Sequence, residues 1–158
     1  MEHQHHELPE LPPTLMRRLG AVLGWAAENA QEVANQALEP LALSVKHFGV
    51  MTFLRHETEG EGERGSLSQQ AIGERLRIDR TTMVSLIDDL ERPGYVKRER
   101  NPADRRAYAI TLTAAGRKAQ ARAEEAVDAH ALEFFGRLSE PERQELHRLL
   151  ARLVERSE

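Results

Sequence analysis

The 158-residue chain contains no cysteine. This absence excludes disulfide bonds, thiolate metal sites and oxidation sensors that work through a thiol. The chain also has no apolar run that approaches the roughly 18–20 residues of a membrane-spanning helix. The first thirteen residues, MEHQHHELPELPP, lack the basic-then-apolar layout of a signal peptide. We therefore expect a cytoplasmic protein without a membrane partner.

Positive charge is in deficit overall, because the net charge of the chain is −4. The stretch Arg92–Arg106 nevertheless has six lysine and arginine residues against two acidic ones, a local net charge of +4. The local field at a contact surface, and not the net charge of the whole protein, decides whether phosphates are attracted. The distribution therefore favours a nucleic-acid partner for this stretch.

Two short helices separated by a three-residue break are predicted just before the basic stretch. The second helix has apolar residues at i, i+3, i+4 and i+7, which is the spacing of one buried stripe: Met83, Leu86, Ile87 and Leu90. Asp79 precedes this helix and is predicted to cap it. The opposite face carries short or hydroxyl side chains and one arginine, which suit contact with base edges or phosphates.

A hairpin is predicted after the second helix, which Pro93-Gly94 ends. Residues 95–100 alternate as a strand does, and residues 101–104 have the composition of a turn. Tyr108, Ile110 and Leu112 recur with period two, which predicts a half-buried strand. Helix, turn, helix and basic hairpin together predict a winged helix-turn-helix.

The flanking segments are predicted to be mostly helical. Residues 1–13, with His3, His5 and His6, are interpreted as a disordered arm in preference to a metal-binding tail. One long helix is predicted over residues 14–38, and a second from Ser44 to about residue 55, followed by a Glu- and Gly-rich loop. Leu67 is expected to add a short strand to the sheet. Two further helices are predicted, one beginning after Thr113 and one after a Ser139–Glu142 capping box.

The segment IDRTTMVSLIDDLERPGYVKRERNPADRRAYAITLTAAGR closely resembles the MarR family of bacterial transcription regulators. The likeness includes Asp104-Arg105-Arg106 and the Leu-Thr-x-x-Gly-Arg entry into the next helix. It implies a mainly α fold with a small β wing. Residues 39–112 would form a winged helix-turn-helix DNA-binding domain, and residues 14–38 and 113–158 a helical dimerisation region. Two recognition helices in such a dimer lie about one turn of DNA apart, roughly 34–36 Å.

The resemblance and the exposed helix face together predict a set of DNA-binding residues. Arg105 is expected in the minor groove and Asp104 is expected to stabilise the wing, while Lys97, Arg98 and Arg100 are expected to contact phosphates. Many relatives have arginine where this chain has Ser85, so the base preference of the family does not transfer. The predicted DNA-binding residues are Ser68, Gln69, Arg80, Thr81, Thr82, Val84, Ser85, Lys97, Arg98, Arg100, Arg105 and Arg106.

A small-molecule pocket is a further expectation, because the family often binds phenolic or other aromatic effectors. Its candidate residues are Trp25, His47, Phe48 and Met51. Core packing is the competing interpretation, and for Phe48 and Met51 it is the favoured one.

We expect a ligand-responsive repressor that acts as a homodimer on a pseudo-palindromic operator in double-stranded DNA. The alternative is a winged-helix protein-interaction module without DNA binding, and the six cations of the hairpin argue against it. The sequence has no Ser/His/Asp order, phosphate-binding glycine loop or HExxH motif. We therefore expect neither an enzyme nor a cofactor.

Overall fold

The computed structural model describes residues 10–59, 67–100 and 108–155. Within these ranges the chain folds into α-helices and one two-stranded antiparallel sheet, so the predicted fold class is confirmed. A short 3-10 turn, Glu39–Leu41, follows the first helix. The elements in chain order are α1 Leu19–Leu38, α2 Val45–Glu59, α3 Gln69–Leu76, α4 Arg80–Glu91, β1 Val96–Arg100, β2 Tyr108–Leu112, α5 Ala114–Phe135 and α6 Glu140–Val154.

Side-chain hydrogen bonds cap the starts of several of these helices, as their sequences dictate. The side chains of Ser68, Asp79 and Thr113 accept hydrogen bonds from the main-chain N–H three residues on, at 3.2, 2.9 and 3.0 Å. Each bond satisfies a donor that the first helical turn leaves free. At α6, Glu142 accepts from the Ser139 N–H at 2.7 Å. The caps predicted at Asp79, Thr113 and Ser139 are confirmed.

The core lies between α2, α3, α4 and the sheet. The predicted stripe of α4 is buried, as are residues that face it from the other elements. Burying each such side chain contributes roughly 1.5–3 kcal/mol. The principal members are Val50, Met51, Leu54, Ile72, Met83, Leu86, Ile87, Leu90, Val96, Ile110 and Leu112. This core orients the opposite face of α4 toward solvent.

The sheet pairs Val96 with Leu112 and Arg100 with Tyr108 at its two ends. The main-chain N–H of Ile110 also donates to the Leu67 carbonyl at 2.9 Å, and Ser68 forms an isolated bridge with Ala109. The strand predicted at Leu67 is therefore only a single bridge beside the two-stranded sheet. The predicted inward position of Tyr108 is wrong, because its side chain is 54% exposed. β2 reaches the core only from Ala109 onward, and Tyr108 lies at its outer end.

Two predicted boundaries differ from the structure. α1 begins at Leu19 and not at residue 14, because residues 13–17 form turns in which Leu15 and Met16 donate to the Pro12 carbonyl. α2 runs to Glu59, beyond the predicted end near residue 55, since residues 56–59 contain neither proline nor glycine. The predicted arm up to residue 9, most of the predicted loop after α2, and the tip of the wing lie outside the described residues.

The terminal helices expose apolar surface. α1 packs along α5, and Val33 and Ala37 in the second half of its stripe are buried within the chain. Large apolar side chains near the start of α1 and on α5 and α6 remain exposed: Leu15, Met16, Leu19, Leu23, Leu132, Leu149, Leu153 and Val154. In the described ranges, no helix is both long enough and apolar enough to cross a bilayer.

Candidate nucleic-acid interface

The exposed face of α4 presents Arg80, Thr81, Val84 and Ser85 to solvent. Val84 is a large apolar residue that the fold leaves 41% exposed. Because the stripe of α4 fills the core, these side chains project together from the other side of the helix. A surface of hydroxyl groups, one methyl pair and one guanidinium can approach base edges closely.

Thr82 differs from its neighbours because its polar groups are already engaged. Its N–H donates to Asp79 Oδ1 at 2.9 Å and its hydroxyl donates to Asp79 Oδ2 at 2.6 Å. These hydrogen bonds from Thr82 hold the pKa of the Asp79 carboxyl below its ordinary value. Thr82 therefore stabilises the start of α4, and it lies at the edge of the exposed face.

The turn between α3 and α4 is tight. Arg77 adopts a left-handed conformation with φ of 54°, and the Ile78 N–H donates to the Gly73 carbonyl at 2.8 Å. A Cβ atom on Gly73 would lie 3.0 Å from the Ile78 carbonyl oxygen. Glycine thus permits the close approach that sets the angle between the two helices.

The two strands β1 and β2 form a basic ribbon beside α4. Its described residues include two exposed cations, Lys97 and Arg100. The ammonium group of Lys97 lies 2.5 Å from the Glu99 carboxylate. This hydrogen bond lowers the pKa of Glu99. Exposed pairs of this kind contribute little to stability, so the lysine can exchange its partner for a phosphate at low cost.

Arg98 is placed differently, and its side chain is only 25% exposed. Its guanidinium donates to Asp88 and Glu91 of α4, and its main-chain N–H donates to Glu91 Oε1 at 3.2 Å. The sequence prediction of a phosphate contact treats Arg98 like Lys97. In the structure its hydrogen-bonding groups face α4 instead.

A groove of about 770 Å³ separates α3 and the start of α4 from the sheet. Ser68 and Gln69 line it, as predicted DNA-binding residues at the start of α3. Arg77 and Tyr108 also line it, and sequence reasoning missed both. The placement of Arg77 at the break between the two helices was a usable signal. The alternation of β2 places Tyr108 on the same face as Ile110, but it does not show that the core ends before Tyr108.

The four candidate pocket residues differ in their surroundings. Met51 is completely buried in the core, which favours the packing interpretation. Trp25 and Phe48 are half-buried. His47 lines a cavity of about 390 Å³ whose other walls include Leu41, Leu43, Asp89, Arg92, Pro93 and Tyr95.

His47 connects α2 to α4. Its Nδ1 accepts a hydrogen bond from the Ser44 N–H at 3.1 Å, and its Nε2 lies 3.6 Å from the Asp89 carboxylate. This Nε2 atom is buried and has no hydrogen-bond partner among the residues that the structure describes. Burial lowers the pKa of His47, and the Asp89 carboxylate opposes this shift only in part.

Asp104, Arg105 and Arg106 lie outside the described residues, so the predicted wing-tip contacts have no structural account here. Across the described ranges, no cluster of three or more histidine or acidic side chains is arranged to hold a metal ion.

The sequence pattern of the MarR family matches residues 43–107, which include α2, α3, α4 and the basic ribbon. The chain belongs to the MarR family. It is 29% identical over 139 residues to a transcriptional repressor of Mycobacterium tuberculosis, Rv2887, an alignment that covers 88% of this chain and 90% of that protein. It is 40% identical over 87 residues to a putative transcriptional regulatory protein for the hcr operon of Thauera aromatica, and spans about half of that protein's length (52%).

Solved structures agree with this MarR-family assignment. Apo MarR from Escherichia coli superposes with a TM-score of 0.75 at 22% identity, covering 92% of this chain and all of that one, which shows the shared fold. Rv2887 has been solved in complex with DNA, with a TM-score of 0.69, 25% identity and coverage of 92% of this chain and 100% of that one. It has also been solved with salicylic acid, with a TM-score of 0.68, 26% identity and coverage of 91% and 97%.

Proposed function

We propose that this MarR-family chain is a DNA-binding transcriptional repressor that acts as a homodimer on a pseudo-palindromic operator. The observation that carries the proposal is the exposed, largely uncharged face of α4 beside a basic ribbon, in a chain that is otherwise acidic. The alternative is a protein-interaction module without DNA binding. A wing that contacts only protein has no need of such a concentration of cations. The relative Rv2887 binds DNA.

In this proposal α4 enters the major groove. Thr81, Val84 and Ser85 face the base edges, where Val84 meets a thymine methyl group, and Arg80 binds a guanine or a phosphate. Lys97 and Arg100 contact phosphates, as do Ser68 and Gln69 from the start of α3. Arg105 reads the minor groove from the wing tip and Arg106 adds a phosphate contact, roles assigned from the family resemblance alone.

Two copies are needed to cover a palindrome, and the exposed apolar residues of α1 and α6 supply the surface for pairing. Leu19 is 82% exposed and Leu153 is 70% exposed. Contiguous apolar side chains on terminal helices become buried when two such chains associate. The dimerisation region comprises residues 14–38 and 113–158, and the DNA-binding domain comprises residues 39–112.

An effector of small aromatic or phenolic type controls the repressor. The relative Rv2887 binds salicylic acid. In this chain the cavity beside His47 lies where α2 meets the end of α4, so an occupant there touches the element that reads DNA. A ligand shifts the separation of the two reading heads only if its affinity differs between the two arrangements.

The protein works in the cytoplasm and catalyses no reaction. Its output is the occupancy of promoter DNA, which requires the field of the ribbon and the shape of α4 but no activated nucleophile or metal.

The test begins with duplexes selected from a random pool by the intact chain. Binding of the selected duplex is then measured by fluorescence anisotropy at 50 and 200 mM salt. A reader that engages several phosphates loses affinity by roughly a thousandfold or more over this range. Failure to enrich any duplex, or affinity that does not depend on salt, would favour the protein-interaction alternative.

A further inference from the structure

Arg98 joins the wing to the recognition helix through both its side chain and its main chain. The guanidinium donates to Asp88 and Glu91, while the main-chain N–H of the same residue donates to Glu91. We propose that Arg98 is a positioning residue, which fixes the wing at a set angle to α4 so that the two elements meet adjacent grooves together, and that it is not a phosphate contact. This inference rests on the proposed function.

The two carboxylates suit this role by their spacing. Asp88 and Glu91 are three residues apart on α4 and therefore share one edge of the helix. A guanidinium is a planar fork that donates to two acceptors at once, and such charge-assisted bonds are roughly twice as strong as neutral ones. Glu91 engages the backbone as well as the side chain of residue 98, so the strand itself is held, and not merely a mobile side-chain tip.

Exposure separates Arg98 from the neighbouring cation. The Lys97 side chain is 55% exposed and its partner lies on the same strand, whereas the Arg98 side chain is 25% exposed and both of its partners lie on α4. A lysine ammonium is a compact point charge without the fork of arginine. We therefore expect lysine at position 98 to keep the charge of the ribbon and lose its alignment.

If only charge mattered, removing the carboxylate partners of Arg98 would strengthen DNA binding, whereas a positioning role predicts that it weakens binding. Asp88 and Glu91 are anions beside a surface that is to meet phosphates, and Glu91 also lies at the C-terminal end of α4, where negative charge is unfavourable. Removing Glu91 would then tighten DNA binding. If the carboxylate holds the wing in place, removing it weakens binding to the specific site instead. The two interpretations therefore predict opposite changes in DNA affinity.

The experiment compares the intact wild-type chain with Glu91→Ala and Arg98→Lys, and uses Glu125→Ala on α5 as the charge-matched control. Affinity is measured for the selected duplex and for a scrambled duplex of equal length. We expect Glu91→Ala and Arg98→Lys each to bind the selected duplex roughly tenfold more weakly, the cost of about one charge-assisted hydrogen bond. Affinity for the scrambled duplex should stay within about twofold of wild type, as should the control on both duplexes.

Two results would overturn the inference. One is tighter binding of both duplexes by Glu91→Ala. The other result combines two variants. Arg98→Lys would keep wild-type affinity and salt dependence, and Arg98→Gln would lower by about one the slope of log affinity against log salt concentration, which is the signature of a phosphate contact.

Hydrogen exchange in the free protein gives a second readout that does not require DNA. In Glu91→Ala the amide of Arg98 loses its acceptor, so exchange in the segment 96–100 should accelerate while exchange in α4 stays unchanged. Equal protection in the variant and in wild type would contradict a positioning role. If the wild-type chain enriches no duplex, the proposed function fails, and this exchange measurement still decides whether Arg98 holds the wing.

Discussion

A Cβ atom on Gly116 would lie only 2.0 Å from the carbonyl oxygen of Tyr95. The first turn of α5 therefore touches the backbone that links α4 to the wing. Thr113 strengthens the same junction, since its hydroxyl donates to the Gly94 carbonyl at 2.6 Å and its N–H donates to the Tyr95 carbonyl at 3.0 Å. The start of the long helix assigned to dimerisation is thereby joined directly to the segment that follows the recognition helix.

Gly116→Ala should destabilise the fold, because the methyl group clashes with a backbone atom that has no room to move. We expect a loss of about 3 kcal/mol in the free energy of unfolding, measured by urea denaturation. Gly49→Ala is the matched control in α2, where a Cβ atom meets nothing within 4 Å. The control should gain about 0.5–1 kcal/mol. Equal stability of the two variants would show that α5 does not approach the Tyr95 backbone.

Protonation of His47 in acid should lower the free energy of unfolding. Burial holds the pKa of His47 below 6.5, and its Nδ1 accepts from the Ser44 N–H, which requires the neutral ring. The other titratable groups that line this cavity are Asp89 of α4, Arg92 just after that helix, and Tyr95. The folded chain thus binds fewer protons than the unfolded chain between the folded pKa and 6.5.

The free energy of unfolding should fall as the pH drops below about 6.5, until the pH reaches the folded pKa, where this contribution levels off. His47→Gln should lose this part of the slope in thermal unfolding measured from pH 8 to 5, because glutamine does not titrate. His147→Gln, at an exposed position on α6, should keep the wild-type slope. A wild-type slope in His47→Gln would refute the assignment.

Asp79→Ala should shorten the start of α4, because both carboxylate oxygens of Asp79 accept hydrogen bonds from Thr82. Asp79→Asn keeps an acceptor at the cap and should be affected less. The lowered pKa of Asp79 means that its contribution is present above the ordinary carboxyl range and is lost as the pH falls through the folded value. Amide exchange of Thr82 and Met83 measures the effect, and identical exchange in both variants would count against the cap.

Leu149→Asp combined with Leu153→Asp should convert the dimer to monomers, since carboxylates would have to be buried at the pairing surface. Both leucines are exposed in the single chain, at 44% and 70%. Gln144→Asp adds a carboxylate to the opposite side of α6 and should leave the dimer intact. Sedimentation velocity distinguishes the two species, and an intact dimer in the double variant would remove α6 from the interface.

Local sequence signals predicted much of the winged domain. The cap at Asp79 and the stripe from Met83 to Leu90 depend only on residues close together in the sequence, so residue spacing alone was sufficient to predict them. The engagement of Arg98 by α4 was not predictable in this way, because it depends on the angle between the wing and a helix seven or more residues away. Tyr108 illustrates the same limit, since strand alternation does not say where along β2 the core ends.

The central claim is that two recognition helices lie one turn of DNA apart in a dimer. Hydroxyl-radical footprinting of the intact chain on its selected duplex tests this claim most directly, with the number of bound chains counted by native mass spectrometry. We expect two chains per duplex and two protected backbone segments centred about 10–10.5 base pairs apart. One chain on one protected segment, or no protection at all, would contradict it.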